Sequence, residues 1–189
     1  MDVAAPGIAA TTGRAPRPAD PCAFVVFGAG GDLTKRLLLP ALYNLAAGKL
    51  LPEGFALVGV ARAPWSGDEF RDRMRSALKE FATDGVAAKT LDALLRHCHY
   101  VRGDFDDPAI YDALKRQVAD LGRSAGTRGN GLFYLATPPE LFAPVARHLG
   151  EAGLAKEDNG HWRRLIIEKP FGFDLNSACA LNAELLRVF

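Results

Sequence analysis

The stretch Ala23-Phe24-Val25-Val26-Phe27-Gly28-Ala29-Gly30-Gly31-Asp32-Leu33-Thr34-Lys35 decides the architecture of this chain. Its first five residues are apolar and rich in β-formers, and the run stops at Gly28, as a strand entering a turn should. A helical pattern starts at Leu33 and continues to Ala46, with Gly48 as the stop. Pro40 sits deep inside that helix, removes a backbone donor and predicts a kink. A strand that turns through glycines into a helix is the opening of a βαβ unit.

The same alternation continues to the end of the chain. Phe55 to Ala61 reads as a second strand, after the loop Leu51-Pro52-Glu53-Gly54. Ser66 with Glu69 three residues on makes a capping box for a helix through about Ala82. A further helix spans about Val86 to His97, and Tyr100-Val101 is a weaker third strand. Asp107 before Pro108 caps a helix to about Leu121, followed by a glycine-rich loop from Ser124 to Asn130. Leu132 to Ala136 is a fourth strand. Thr137-Pro138-Pro139-Glu140 supplies a cap, first-turn prolines and a capping-box acid, and Leu141, Val145 and Leu149 share one face of the helix behind it. Arg164 to Ile167 is a fifth strand, and Asp174 caps a last helix toward Phe189.

The strands are continuous apolar runs rather than alternating ones, which is how strands buried in a parallel sheet read. With right-handed crossovers this is an α/β fold, a doubly wound Rossmann-type parallel sheet with helices on both faces. It occupies residues 22–189. Residues 1–21 are rich in Ala, Pro, Gly and Thr without an apolar period, so a disordered tail is expected. Arg14 and Arg17 with few acids also fit a transit segment.

Composition removes several classes of function. The chain has 189 residues, enough for one domain with its own core, and is 49% hydrophobic and 24% charged, as soluble globular proteins are. A net charge of +1 gives no bulk attraction to nucleic acid or to an anionic membrane. No basic run interleaved with aromatics appears, and no stretch of about 18 apolar residues exists, so neither nucleic acid nor membrane is expected as a partner. Cys22, Cys98 and Cys179 are too far apart for a CxxC motif or a disulfide framework. That implies no metal site and a reducing compartment such as the cytoplasm.

Three places carry chemistry. Gly28, Ala29, Gly30, Gly31, Asp32, Leu33, Thr34 and Lys35 stand where a dinucleotide fold holds its pyrophosphate. Glycines let the backbone approach the phosphates, and the helix N-terminus offers unpaired N–H groups and a partial positive charge. The match to GxGxxG is incomplete, because Leu33 stands at the third glycine, and no Gly-Lys-Ser/Thr makes it a Walker loop. The bland alternative is a tight turn in a fold that binds nothing. At the end of the second strand, where NAD-binding folds place an acid for the ribose hydroxyl, the chain has Arg62, which suits a 2′-phosphate and favours NADP. The alternative there is a solvated arginine on a loop. After the fifth strand, Ile167-Glu168-Lys169-Pro170-Phe171-Gly172 aims Lys169 at the cofactor end, with Glu168 as its partner or orienter. A cis bond is possible at Pro170. The alternative is a surface lysine at a turn.

GAGGDLTKRLLLPALYNL from Gly28 to Leu45 resembles the glycine-loop segment of glucose-6-phosphate dehydrogenases, where G-A-S-G-D-L is usual. The family's order continues with Val58-Gly59-Val60-Ala61-Arg62, Gly103-Asp104-Phe105-Asp106-Asp107, Leu132-Phe133-Tyr134-Leu135-Ala136-Thr137-Pro138-Pro139 and the segment around Lys169. The likeness runs from about Cys22 to Phe189. It implies that Gly28 to Lys35 hold the pyrophosphate of NADP and Arg62 its 2′-phosphate. Asp104 and Phe105 line the adenosine side, Ala136 and Pro138 flank the nicotinamide ribose, and Lys169 reaches both cofactor and sugar phosphate. Gly30 replaces the family's serine, so a hydroxyl contact is missing there, and Phe142 stands where a tyrosine is frequent.

The family oxidises glucose 6-phosphate to 6-phosphogluconolactone. Its general base is a histidine in an R-I-D-H-Y-L-G-K-E segment that the 189 residues do not contain. His97, His99, His148 and His161 read as surface or loop residues without a motif to orient them as bases. The expectation is a chain that binds NADP but turns over little or no substrate. It is expected to be monomeric, whereas the full-length enzyme is a homo-oligomer. Rival readings are a sugar oxidoreductase of another dinucleotide family, a non-catalytic NADP-sensing module, and an α/β scaffold that binds no nucleotide.

Overall fold

The computed structural model describes residues 17–82 and 85–189. Strands β1 (Cys22–Phe27), β2 (Phe55–Ala61), β3 (Cys98–Arg102), β4 (Gly131–Leu135) and β5 (Arg163–Ile167) form one parallel sheet in the order β3-β2-β1-β4-β5. The helices are α1 (Leu39–Ala47), α2 (Gly67–Phe81), α3 (Ala88–Arg96), α4 (Pro108–Ser124), α5 (Phe142–Glu151) and α6 (Leu175–Leu185). Ala23, Val25 and Phe27 of β1 enter a core with Leu114 and Val118 of α4 and Val145 of α5. Cys22, Phe24 and Val26 enter a second core with Leu39 of α1, Met74 of α2 and Leu94 of α3. Burial on both faces explains why β1 reads as an unbroken apolar run.

Local chemistry places the helices. The Ser66 hydroxyl accepts the Glu69 N–H at 3.1 Å and the Glu69 carboxylate accepts the Ser66 N–H at 2.7 Å, so the capping box forms at α2. Phe70, Met74, Ala77 and Leu78 then fall on one buried stripe. Asp107 caps α4, with Pro108 in its first turn. Asp174 and Ser177 form a capping box at α6.

Several expectations are corrected. Pro40 does not interrupt a single α-helix. A π-helical turn spans Thr34–Leu38, in which the Leu39 N–H reaches back five residues to Thr34 O. Pro40 thereby falls in the first turn of α1, where its missing donor is not needed. Thr137 makes no cap, because its Oγ1 is buried without a partner and Pro138 is extended (φ −57°, ψ 149°). Two donorless prolines delay the helix, so a 3₁₀ turn over Pro139–Leu141 precedes α5. β3 is five residues rather than two, α4 runs on to Ser124, and α6 stops at Leu185. β5 is an edge strand and only partly buried, with Ile166 exposed. Residues 1–16 of the expected tail lie outside the described residues. Of its remainder, Pro21 O accepts a 2.8 Å bond from Asn130 Nδ2, and Asn130 Oδ1 accepts the Trp162 N–H at 3.0 Å.

The cysteines follow from this packing. Cys22 and Cys98 are buried and free, and burial pushes their thiols up to about 11 and about 12, whereas Cys179 is exposed. A thiol reagent at about pH 8 should therefore label Cys179 alone in the folded chain and all three cysteines in denaturant. Rapid labelling of a second thiol without denaturant would contradict the buried placement of β1 and β3.

Candidate functional site

Because the strands are parallel, the residues that follow them collect at one edge of the sheet. Gly28 follows β1, Arg62 follows β2, Asp104 lies two residues beyond β3, Ala136 follows β4, and Lys169 lies two residues beyond β5. The strand order reverses between β1 and β4, since β2 and β3 lie on one side of β1 and β4 and β5 on the other. Open α/β sheets bind ligands in the crevice at such a switch point.

The glycine loop is locked into that crevice. Gly28 has φ +82°, and its N–H donates to Val60 O at 3.0 Å. A Cβ there would lie 2.2 Å from Ala136 O, so the end of β4 touches the loop where only glycine fits. The Gly31 N–H donates to Gly28 O at 2.9 Å, and the buried Thr34 hydroxyl donates to the same oxygen at 3.3 Å. The eight loop residues therefore divide. Ala29 and Thr34 are buried, and Leu33 packs on the core beside α1. Their side chains build the loop, and their backbone is what can face a ligand. Gly31 and Asp32 are exposed, Gly30 and Lys35 half-buried, and Asp32 is 3.9 Å from Arg36 one turn on. The Lys35 N–H donates to Gly31 O at 3.3 Å, and the preceding first-turn N–H groups have no intrahelical acceptors, which suits an anion.

Beside the loop, Arg62 Nη1 stands 4.0 Å from Asp104 Oδ2, with both side chains largely exposed. Tyr100 fixes this corner. Its hydroxyl lies 3.0 Å from Ala61 O and 2.8 Å from Ala63 O, donating between the carbonyls that flank Arg62. Tyr100 was not singled out in the sequence, although an aromatic with a polar tip in a short, weak strand was the available signal. Phe105 is corrected. Its ring is in the core, 5.6 Å from Phe27, and its carbonyl accepts the buried Tyr111 hydroxyl at 2.7 Å, so no side-chain contact with a ligand is available from it.

On the other side of β1, Pro138 is exposed and Ala136 half-buried, and Thr137 Oγ1 is a buried hydroxyl without a partner next to Gly28. Glu168 does not pair with Lys169. It accepts a hydrogen bond from the Tyr134 hydroxyl, whose pKa is driven up by burial first and then by this bond and the carboxylate's charge. Among the described residues Lys169 has no ion-pair partner, and it precedes a cis Lys169–Pro170 bond at the crevice edge. Lys169 is thus an exposed cation on the side away from Arg62.

No histidine stands after any of the five strands. His97 caps the end of α3 and His161 lies against Gly129 before β5. Two do not match the surface-or-loop expectation. His99 is half-buried within β3, which lowers its pKa, and His148 on α5 lies 5.1 Å from the Tyr111 ring with Nδ1 3.1 Å from Glu151. Among the described residues no three His, Cys, Asp or Glu side chains gather to hold a metal ion.

A concavity of about 910 Å³ is at the opposite edge, between α4 and the loops before β4 and β5. It is rich in cations, but Lys156 pairs with Asp158, Arg123 with Asp120, and Arg163 with backbone carbonyls. It carries neither the glycine loop nor the strand ends.

The fold and the crevice together define a dinucleotide-binding domain of Rossmann type. Residues 25–189 match the family model described as glucose-6-phosphate dehydrogenase, NAD binding domain, and the chain belongs to that family. It is 41% identical over 176 residues to glucose-6-phosphate 1-dehydrogenase 2 of Mycobacterium tuberculosis, covering 93% of this chain and 34% of that protein. It is 43% identical over 171 residues to the glucose-6-phosphate 1-dehydrogenase of Aggregatibacter actinomycetemcomitans, covering 90% and 34%. Its fold superposes on the crystal structure of the Mycobacterium avium enzyme with a TM-score of 0.76 at 33% identity, covering 91% of this chain and 34% of that one. The chain thus spans about a third of the length of the curated relatives it matches.

Proposed function

We infer that this chain is the NADP-holding part of an enzyme that oxidises glucose 6-phosphate to 6-phosphogluconolactone, and that the 189 residues by themselves bind the cofactor without turning substrate over. The observation that carries the reading is the convergence of the glycine loop, Arg62 and Lys169 at the strand ends around the β1–β4 switch point. The fit of a dinucleotide rests on Gly28, where backbone meets backbone, and on the unsatisfied Thr137 hydroxyl beside it.

NADP supplies the hydride acceptor when bound. The chain's own residues bind and orient. First-turn N–H groups of the loop would face the pyrophosphate, and Arg62 would hold the 2′-phosphate. Ala136 and Pro138 would flank the nicotinamide ribose, and Lys169 would draw the sugar phosphate toward it. None of the four histidines is placed to take the proton that must leave the sugar hydroxyl. A positioned base contributes about 10²–10⁴-fold, so its lack removes most turnover. Two buried free thiols suit a reducing compartment such as the cytoplasm. A monomer is proposed for the chain alone.

Calorimetric titration of the folded chain should show NADP⁺ binding more tightly than NAD⁺. An absorbance assay with glucose 6-phosphate and NADP⁺ should show no sustained NADPH production. Binding of neither nucleotide would refute the cofactor reading, and steady turnover would refute the inactivity.

A further inference from the structure

Gly30 has no side chain where the family's glycine loop usually has a serine, and the space is filled from elsewhere. A Cβ on Gly30 would lie 3.0 Å from Trp65 Cη2 and 3.3 Å from Trp65 Cζ3. Trp65, three residues after Arg62, therefore presses the edge of its indole against the glycine loop. Its ring is fixed by Tyr100 at 5.8 Å between centroids, the same tyrosine that holds the carbonyls flanking Arg62. The Arg73 guanidinium of α2 lies over this ring, 4.4 Å from its centroid. A cation is thus delivered from α2 to the flank of the glycine loop, with the indole as its platform.

The charge balance at this corner calls for such a cation. A phosphate monoester carries close to two negative charges at neutral pH. Arg62 offers one positive charge, with Asp104 only 4.0 Å from it, so that pair alone is nearly neutral toward an incoming anion. Among the described residues Arg73 has no carboxylate within 4.0 Å. Asp72 precedes Arg73 in the chain, and Glu69, one turn earlier on α2, attracts it at longer range while its carboxylate is engaged by the Ser66 N–H at 2.7 Å. Asp72 and Glu80 line the same shallow groove as Arg73 and Lys35.

We propose that Arg73, positioned by the Trp65 ring, is a second cation for the cofactor's 2′-phosphate and takes the place of the hydroxyl missing at Gly30. This rests on the NADP reading above. In the proposal Trp65 is a positioning residue and Arg73 the group that touches the ligand.

The test is titration of NADP⁺ and NAD⁺ into the full chain and into Arg73→Gln, Arg73→Lys and Trp65→Leu. Arg73 is exposed, and glutamine and lysine suit a helix, so these variants should fold. Arg73→Gln should weaken NADP⁺ by about tenfold and leave NAD⁺ unchanged, because only one of the two carries the phosphate. Arg73→Lys should recover part of the loss, and Trp65→Leu should reproduce it by freeing the guanidinium. An unchanged NADP⁺ affinity in Arg73→Gln, or equal losses for both nucleotides, would overturn the proposal. Should the parent chain bind neither nucleotide, the cofactor reading fails first and this proposal with it. If the parent prefers NADP⁺ and Arg73→Gln keeps that preference, only this proposal fails.

Discussion

Gly28→Ala is expected to remove nucleotide binding and to lower stability by about 2–5 kcal/mol, the sum of a left-handed conformation forced on alanine and an overpacked contact. Gly28 has φ +82°, and the new Cβ would lie 2.2 Å from Ala136 O and 3.0 Å from Ala136 C. Neither neighbour is free to retreat. The Ala136 N–H is bonded to Phe27 O at 3.0 Å, and the Gly28 N–H to Val60 O at 3.0 Å, so relief on one side breaks the ladder on the other. Urea denaturation reads the stability change, and nucleotide titration of the remaining folded protein reads the loop. Gly67→Ala is the control, because Gly67 opens α2 without a positive φ and a Cβ there meets only Arg71 Nη1 at 3.6 Å, so this change should stabilise by about 0.4–1 kcal/mol. If Gly28→Ala matched the parent in both measurements, the close approach of β4 to the loop would be wrong.

The strands that carry this site were legible in proportion to their burial. β1 and β2 are covered on both faces, and their residues are apolar at every position, so β1 was read within one residue and β2 at its bounds. β3 carries Cys98, His99 and Arg102, with the histidine half-buried and the arginine exposed, and pattern alone finds only Tyr100 and Val101. Side-chain direction was the less legible part of the site. Adjacency of Gly28, Arg62, Asp104, Ala136 and Lys169 follows from parallel strands and needed no coordinates. Which side chains turn inward did not follow. Phe105 sits between two residues that face solvent, yet its ring packs on Phe27. Glu168 meets Tyr134 across the β4–β5 pair instead of its chain neighbour Lys169. Thr137 had the right residue type and spacing for a cap, and the two prolines behind it moved the helix start beyond its reach. Tyr100 and Arg73 are separated in sequence and both reach Trp65 because α2 packs against β3.

Arg62→Ala is expected to weaken NADP⁺ binding by about ten- to a hundredfold, the effect of one or two charge-assisted bonds, and to leave NAD⁺ within about twofold. The side chain is 76% exposed, and its link to Asp104 is a 4.0 Å contact between exposed groups, which stabilises the fold by at most about 1 kcal/mol. Loss of Arg62 should therefore register in the phosphate-bearing nucleotide and not in the melting temperature. Tyr100 holds the backbone on both sides of residue 62, so the loop keeps its course without the arginine. Asp104→Asn is the counter-experiment. It removes a negative charge beside Arg62, and NADP⁺ affinity should rise by about threefold at low salt while NAD⁺ changes little. Both effects should shrink as salt is raised, because exposed charges are screened over about 8 Å at physiological ionic strength. Equal losses of NADP⁺ and NAD⁺ in Arg62→Ala would mean that the residue shapes the adenosine side without reading the phosphate. NADP preference would then have to come from the α2 side of the loop.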